Sequence, residues 1–256
     1  MAAPAVQQLW QDCQPDAVIH TAAQANAHLC EQQPQQTEML NVLFACQLAE
    51  RCAQANIPFL FISTDLVFGG EHAPYGETDP VSPLSHYGRQ KAIAETQILK
   101  VYAHATICRL PLLYGLASPN GQGFLPSFLA KLKAGQPLPL FTDEWRTPVT
   151  VADAATGIRL ALARGVRGIL HLGGPERISR YDFGLKMAEA FRLSAATIQP
   201  CLRADVSLPA PRPRDVSLNS DRAFAWGYRP RDVTAGLAAL AADASQPQCA
   251  EQSHIR

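Results

Sequence analysis

The apolar and polar positions divide the chain into alternating strand-like and helix-like stretches. Residues 16–23, DAVIHTAA, form a short apolar run closed by small side chains, which predicts a buried strand. Over 37–55, Met39, Leu40, Leu43, Cys46 and Leu48 recur at helical spacing, and Asn56 supplies a stop. IPFLFIS at 57–63 predicts a second buried strand, and the Gly-, Pro- and Asp-rich stretch 69–83 a loop. Then come a helix over 85–103, a strand over 105–110, helices near 124–134 and 151–163, and a strand over 168–172. Beyond 172 the pattern loosens into a helix over 179–193 opened by Ser179, a loop-like stretch over 199–218 and a helix near 232–243. Near-continuous apolar strands alternating with helices indicate an α/β fold with a doubly wound parallel sheet covered on both faces. The expected division is a sheet domain over 1–172, with 112–150 partly in a second lobe. That smaller, discontinuous lobe takes 173–243, and 244–256 is a flexible tail.

Composition narrows the function more than the fold. Of 256 residues, 22 are basic and 22 acidic, with no dense cationic stripe, so nucleic acid and anionic membrane surfaces are poor partners. No apolar run approaches the ~20 residues of a membrane helix. The opening MAAPAVQQLW has neither the basic nor the apolar region of a secretion signal. The seven cysteines form no CxxC and pair with no histidine at ligand spacing. Reduced thiols in a cytoplasmic protein without a metal site are therefore expected.

The candidate chemistry begins at STDLVFGG, 63–70, where a buried strand ends in two hydroxyls and a carboxylate. In open parallel sheets ligands bind beyond the carboxyl ends of the strands, so Thr64 can face a crevice. Downstream, HYGRQKAIAE places Tyr87 and Lys91 four residues apart, on one face of a helix. An ammonium near a phenol favours the phenolate and would bring the tyrosine into acid–base range. With a hydroxyl to hold the carbonyl oxygen, such a trio suits hydride exchange between nicotinamide and a carbonyl. Each piece alone has a plainer reading. Tyr87 and Lys91 can be a solvated helix face, and Thr64 a strand-end cap. His20 reads as a satisfied core histidine, Asp65 as a cap for local amides, and Arg212 and Arg214 as surface arginines in a Pro-rich connector.

STDLVFGG followed by PYGETDPVSPLSHYGRQKAIAE resembles the extended short-chain dehydrogenase/reductases, and most of all their dTDP-4-dehydrorhamnose reductase branch. VIHTAA (18–23), NVLFACQLAE (41–50), RTPVTVADAA (146–155) and GILHLGGPERISRYDFG (168–184) extend the likeness from about residue 6 to about 240. The resemblance implies NAD(P)H-dependent reduction of a keto-sugar nucleotide, with NADP or NAD as cofactor, and allows a homodimer. It makes Thr64, Tyr87 and Lys91 the catalytic residues. Ala22, Ala23, Asn41, Tyr87 and Lys91 would lie along the cofactor. For such a substrate Trp145 could stack on the nucleotide base, and Arg146, and Arg212 or Arg214, could bond the diphosphate through the planar guanidinium fork. Leu66 and Gly69 stand where the branch usually has Tyr and Asp. The likeness also reaches the methionine adenosyltransferase β subunit, which implies the alternative of a non-catalytic regulatory subunit, or an inactive fragment.

The family's opening strand–GxxGxxG–helix is not in these 256 residues. GGEHAPYG (69–76) and GLASPNGQG (115–123) have the wrong spacing to replace it. Two readings of this stand side by side. Either the start lies inside a longer protein, or the chain is a shortened relative whose cofactor binding is in question. The second would leave an apolar sheet edge uncovered.

Overall fold

The computed structural model describes residues 3–116 and 123–245. In chain order, helix α1 (Ala3–Cys13) leads to strand β1 (Val18–His20), then α2 (Ala27–Gln32) and α3 (Pro34–Glu38). A π-helical turn over Met39–Phe44 joins α3 to α4 (Ala45–Ala55), so the helix expected over 37–55 is present but widened, and underwound, over 39–44. Strand β2 (Phe59–Thr64) runs into a 3-10 turn at Asp65–Val67, and a long loop reaches α5 (His86–Val101). Next come β3 (Thr106–Leu110), β4 (Leu113–Tyr114), α6 (Phe124–Lys133), β5 (Leu138–Phe141), β6 (Trp145–Arg146), β7 (Val149–Thr150) and α7 (Val151–Ala163). The chain closes with β8 (Gly168–His171), β9 (Ile178–Ser179), α8 (Arg180–Ala190), β10 (Ile198–Cys201), α9 (Asp221–Ala225) and α10 (Val233–Ser245).

The main sheet is parallel, in the order β1-β2-β3-β8. Its strands are apolar because helices cover both faces. On one side α4 and α5 pack Val42, Ala49, Ala94 and Ile98 onto Phe59, Phe61 and Ile107. On the other, α7 and the segment around Tyr228 cover Leu60, Cys108 and Leu170. Local signals set the boundaries. Asn56 ends α4 in the left-handed conformation (φ 54°, ψ 40°), which asparagine tolerates. Ser85, Thr150 and Ser179 cap α5, α7 and α8, each accepting from an amide three residues on.

A second core gathers Tyr114, Leu125, Leu129, Leu138, Leu140, Ile178, Phe183, Met187, Ile198 and Leu237. Strands β5 and β10 pair in parallel here, so the loop expected over 199–218 begins as a strand; Pro200 hid it in the sequence. Of the expected tail, 244–245 complete α10 and 246–256 lie outside the described residues, as do 117–122 of the glycine-containing stretch 115–123. Among the described residues β1 has no strand on its outer side. Ile19 is 42% exposed, and a groove lined by Val18, Ile19, His20, Ala22, Phe44 and Leu48 runs along it.

At the carboxyl edge of the sheet, buried charges tie the layers together. Glu95 of α5 accepts two hydrogen bonds from Arg109 of β3, at 2.7 Å to Nη2 and 3.0 Å to Nε, and a third from Ser63 of β2. Arg109 Nη1 meets His171 Nε2 of β8 at 3.3 Å. His171 Nδ1 faces the carbonyls of Tyr75 and Asn219, so it carries the proton and leaves Nε2 to accept from Arg109. Burial, together with the Arg109 charge, brings His171 down to about 4, and it stays neutral. Removing one partner of such a pair leaves a bare charge in the interior. Glu95→Ala is therefore expected to cost about 3–5 kcal/mol in urea denaturation, and the double change Glu95→Leu/Arg109→Met much less. Equal losses in the single and double variants would show that the pair contributes packing alone.

Candidate active site

Helix α5 presents Tyr87, Lys91 and Glu95 at successive i, i+4 positions, one stripe facing the sheet edge. Gly88 lets its first turn approach closely. A Cβ there would collide with the backbone carbonyl of Leu66, just past the end of β2. The glycine of the YG pair thus brings Tyr87 beside Thr64–Leu66, and the Ser85 hydroxyl caps the turn by accepting from the Gly88 amide at 3.1 Å.

Beyond this edge lies a cleft of about 500 Å³. Its wall includes Thr64, Asp65, Leu66 and Ser85 together with Glu144, Arg146, Arg180 and Arg212. Thr64 donates to Asp65 Oδ1 at 3.1 Å and accepts from the Leu66 amide. Asp65 is 1% exposed and pairs with Arg146 Nη1 at 2.8 Å. It is a buried ion-pair partner of Arg146, where a cap for local amides was expected. Glu144 joins Arg212 at 2.9 Å and Arg146 at 3.6 Å. Burial alone would raise the Glu144 carboxyl, but Arg146, Arg212 and Arg180 hold it below its ordinary value. Arg212 and Arg214 are both exposed, as expected of connector arginines, but Arg212 also lines the cleft.

Lys91 is 2% exposed, its ammonium 3.7 Å from the centre of the Phe61 ring. Burial brings it down to about 7, with Glu95 acting against the shift. The Tyr87 phenol moves opposite to the sequence expectation. Burial and the Asp65 charge push it above the ordinary tyrosine value. The Lys91 charge was expected to lower it, but desolvation dominates in this packed turn. The two residues still link two spaces. Tyr87 feels Asp65, in the cleft wall, while Lys91 depresses His20, in the wall of the β1 groove. His20 is not the satisfied core histidine of the sequence reading. It stacks on Phe59 and Phe61, and its buried Nε2 has no hydrogen-bond partner.

The remaining candidates fall in different places. Ala22 lines the β1 groove, and Ala23 follows it half-buried. Asn41, in the π-helical turn, spends its side chain on protein. It accepts from the Gln24 amide at 2.8 Å and donates to Gln90 Oε1 at 2.7 Å, which fixes the segment after β1. Trp145 does not line the cleft; its ring lies under Arg177, 4.0 Å from the guanidinium carbon. Arg146 does line it, so of the two expected substrate contacts only Arg146 reaches that space. Arg180, Glu144 and Glu95 escaped the sequence reading. One signal was available for Arg180: a cation at the first position of α8 opposes the helix dipole.

Lys91 has a folded pKa below that of the unfolded chain. Below about pH 7 both states hold the proton and the burial penalty is complete. Between about 7 and the ordinary lysine value near ~10.4 the unfolded chain binds more protons, so stability rises with pH. Lys91→Met should therefore raise the urea midpoint most at pH 6–7. Its advantage should shrink by roughly 1.4 kcal/mol per pH unit above that range. A pH-independent difference would place the Lys91 ammonium in water.

The model of the RmlD substrate binding domain family matches residues 1–245. A probable low-salt glycan biosynthesis reductase, Agl14 of Haloferax volcanii, is 35% identical over 202 residues, 78% of this chain and 67% of the relative. Methionine adenosyltransferase 2 subunit beta of Pongo abelii is 31% identical over 234 residues, 89% of this chain and 70% of the relative. Among solved structures, dTDP-4-dehydrorhamnose reductase of Bacillus anthracis in complex with NADP superposes with a TM-score of 0.87 at 21% identity, covering 94% of this chain and 85% of that one. The Clostridium acetobutylicum dTDP-4-dehydrorhamnose reductase gives 0.86 at 24% identity, covering 96% and 86%.

Proposed function

We propose, from the premise that the chain belongs to the RmlD substrate binding domain family, that it is an NAD(P)H-dependent reductase of a keto-sugar nucleotide. The observation that carries the reading is the stripe Tyr87–Lys91–Glu95. It sits behind the Thr64 strand end, between the arginine-walled cleft and the β1 groove. The 35% identity to a glycan biosynthesis reductase supports the same class of reaction. In the division of labour we propose, residues 1–172 serve the cofactor and 173–243 the substrate, with parts of 112–150 joining the second lobe. The natural setting is the cytoplasm; among the described residues no helix is long and apolar enough to cross a membrane.

The residues present fit the nicotinamide–ribose end of the cofactor. The buried Lys91 ammonium has no carboxylate within ion-pair distance among the described residues, and the small side chain of Ala22 leaves the β1 groove open. Glycines that could cradle a pyrophosphate do not. Gly69, Gly70, Gly173 and Gly174, near the carboxyl ends of β2 and β8, are each packed against other protein atoms. When bound, the nicotinamide supplies the hydride. Thr64, its hydroxyl proton turned from Asp65 Oδ1 to the ligand, holds the substrate carbonyl oxygen, and Tyr87, kept protonated by burial, gives that oxygen its proton. Lys91, when charged, stabilises the phenolate left behind and donates to the ribose. Asp65 and Arg146 hold each other and fix the cleft wall.

The second reading, a non-catalytic subunit, is favoured by the 31% identity to the methionine adenosyltransferase 2 subunit beta over 89% of this chain. Turnover of a keto-sugar nucleotide with NADPH separates the two. Tyr87→Phe should lower reduction by roughly 10²–10⁴-fold while leaving cofactor affinity nearly unchanged, measured by steady-state kinetics and NADPH fluorescence. Undiminished turnover would remove Tyr87 from the mechanism, and its absence in the wild type, with specific co-purification of a second protein, would favour the subunit.

A further inference from the structure

The charges lining the cleft do not balance. Arg146 is engaged with Asp65 and Glu144, and Arg212 with Glu144. Arg180 is the third guanidinium on this wall, and no carboxylate lies within ion-pair distance of it among the described residues. Its Nη1 is buried without a hydrogen-bond partner, as is Nε of Arg146. Arg180 is 8% exposed and lies over Phe124, 4.3 Å from the ring centre, and Phe128, at 5.4 Å. It occupies the first position of α8, where the helix dipole adds further positive potential.

A buried, unpaired guanidinium is a costly arrangement, and two aromatic faces offset only part of the cost. Folding does not require it. An apolar side chain on Phe124 and Phe128 would pack as well and carry no charge. The cost is recovered when an anion enters, because a guanidinium held dry loses little further hydration on binding. Two N–H groups without partners, at Arg180 Nη1 and Arg146 Nε, belong to side chains that line the same cleft, and they suit a group with several anionic oxygens.

We propose that Arg180 anchors the diphosphate of the substrate, with Arg146 Nε as second donor and Phe124 and Phe128 as the apolar floor beneath the guanidinium. The identity of the anion rests on the reading of the cleft as a sugar-nucleotide site; the unpaired cation does not. Lowering of the Arg180 guanidinium by burial to about 10, with Glu144 opposing and Arg212 and Arg146 adding, agrees with a surplus of positive charge.

The test is isothermal titration of the full chain, without cofactor, using thymidine diphosphate, inorganic pyrophosphate and thymidine as probes. The two phosphorylated probes should bind competitively and thymidine far more weakly. Arg180→Met should weaken both by at least ~30-fold and, with no ligand present, raise the melting temperature, since it removes an unpaired buried charge. Arg180→Lys should keep the charge, lose the fork and fall in between. Unchanged affinity in Arg180→Met would overturn the proposal. A lowered melting temperature in both variants would do the same, by making Arg180 structural. Displacement of pyrophosphate by NADPH would also sink it, by giving the site to the cofactor. Tyr87→Phe should bind pyrophosphate like the wild type. Binding through Arg180 in a protein with no reductase activity would defeat the enzyme reading and leave this one standing.

Discussion

The buried pair of Glu95 and Arg109 holds the candidate site at its height. It joins α5 to β3 directly, to β2 through Ser63 and to β8 through His171, whose other nitrogen reaches the loops at Tyr75 and Asn219. These groups meet where the strands end, and an open parallel sheet binds ligands there. Charges buried so deeply tolerate little displacement, because each lost hydrogen bond strands a charge. Two helical turns earlier on the same stripe sits Tyr87, and one turn earlier Lys91. The helix therefore has little freedom to slide or rotate, and Gly88 against the Leu66 carbonyl closes its other end. A fixed helix fixes its side chains relative to Thr64, and proton transfer needs that constancy.

What the sequence made legible were features written in local chemistry. The apolar run 57–63 ending in hydroxyls, the stop at Asn56 and the cap at Ser179 each follow from a few neighbouring residues, and each is realised within a residue or two. Tyr87 and Lys91 were found by spacing on a helix. Features that depend on contacts remote in sequence were not legible. The β5–β10 pairing joins 138–141 to 198–201 through a strand containing Pro200, and its strand character comes from the partner. Asp65 and Arg146 are an ion pair across eighty-one positions, so Asp65 looked like a local cap. His20 looked satisfied because the sequence does not show that it packs among the rings of Phe44, Phe59 and Phe61.

The direction of the tyrosine shift is the most instructive of these differences. Spacing showed that Lys91 and Tyr87 share a face, and from this a lowered phenol seemed to follow. Spacing carries no information about solvation. Once both groups are buried, desolvation disfavours each charged form, raising the phenol and lowering the ammonium. Both are thereby driven toward neutrality. For a reductase this is not a defect, since the proton that the alkoxide needs is then present on Tyr87.

A common arrangement governs the cations around the site. Lys91 lies over Phe61 beside His20 and Arg180 lines the cleft, and each is buried without a carboxylate within ion-pair distance among the described residues. Carboxylates are close by, yet committed: Glu95 to Arg109, Glu144 to Arg146 and Arg212, and Asp65 to Arg146. The arginines that hold them leave these two cations short. Folding energy alone would pair or discard such charges. Their persistence makes sense if the missing negative charge arrives from outside: phosphate oxygens at Arg180, and at Lys91 the phenolate that appears on Tyr87 as its proton leaves. On that account the wall of ion pairs has a second task beyond rigidity. By committing every nearby carboxylate elsewhere, it keeps both cations available for the ligand and for the charge the reaction creates.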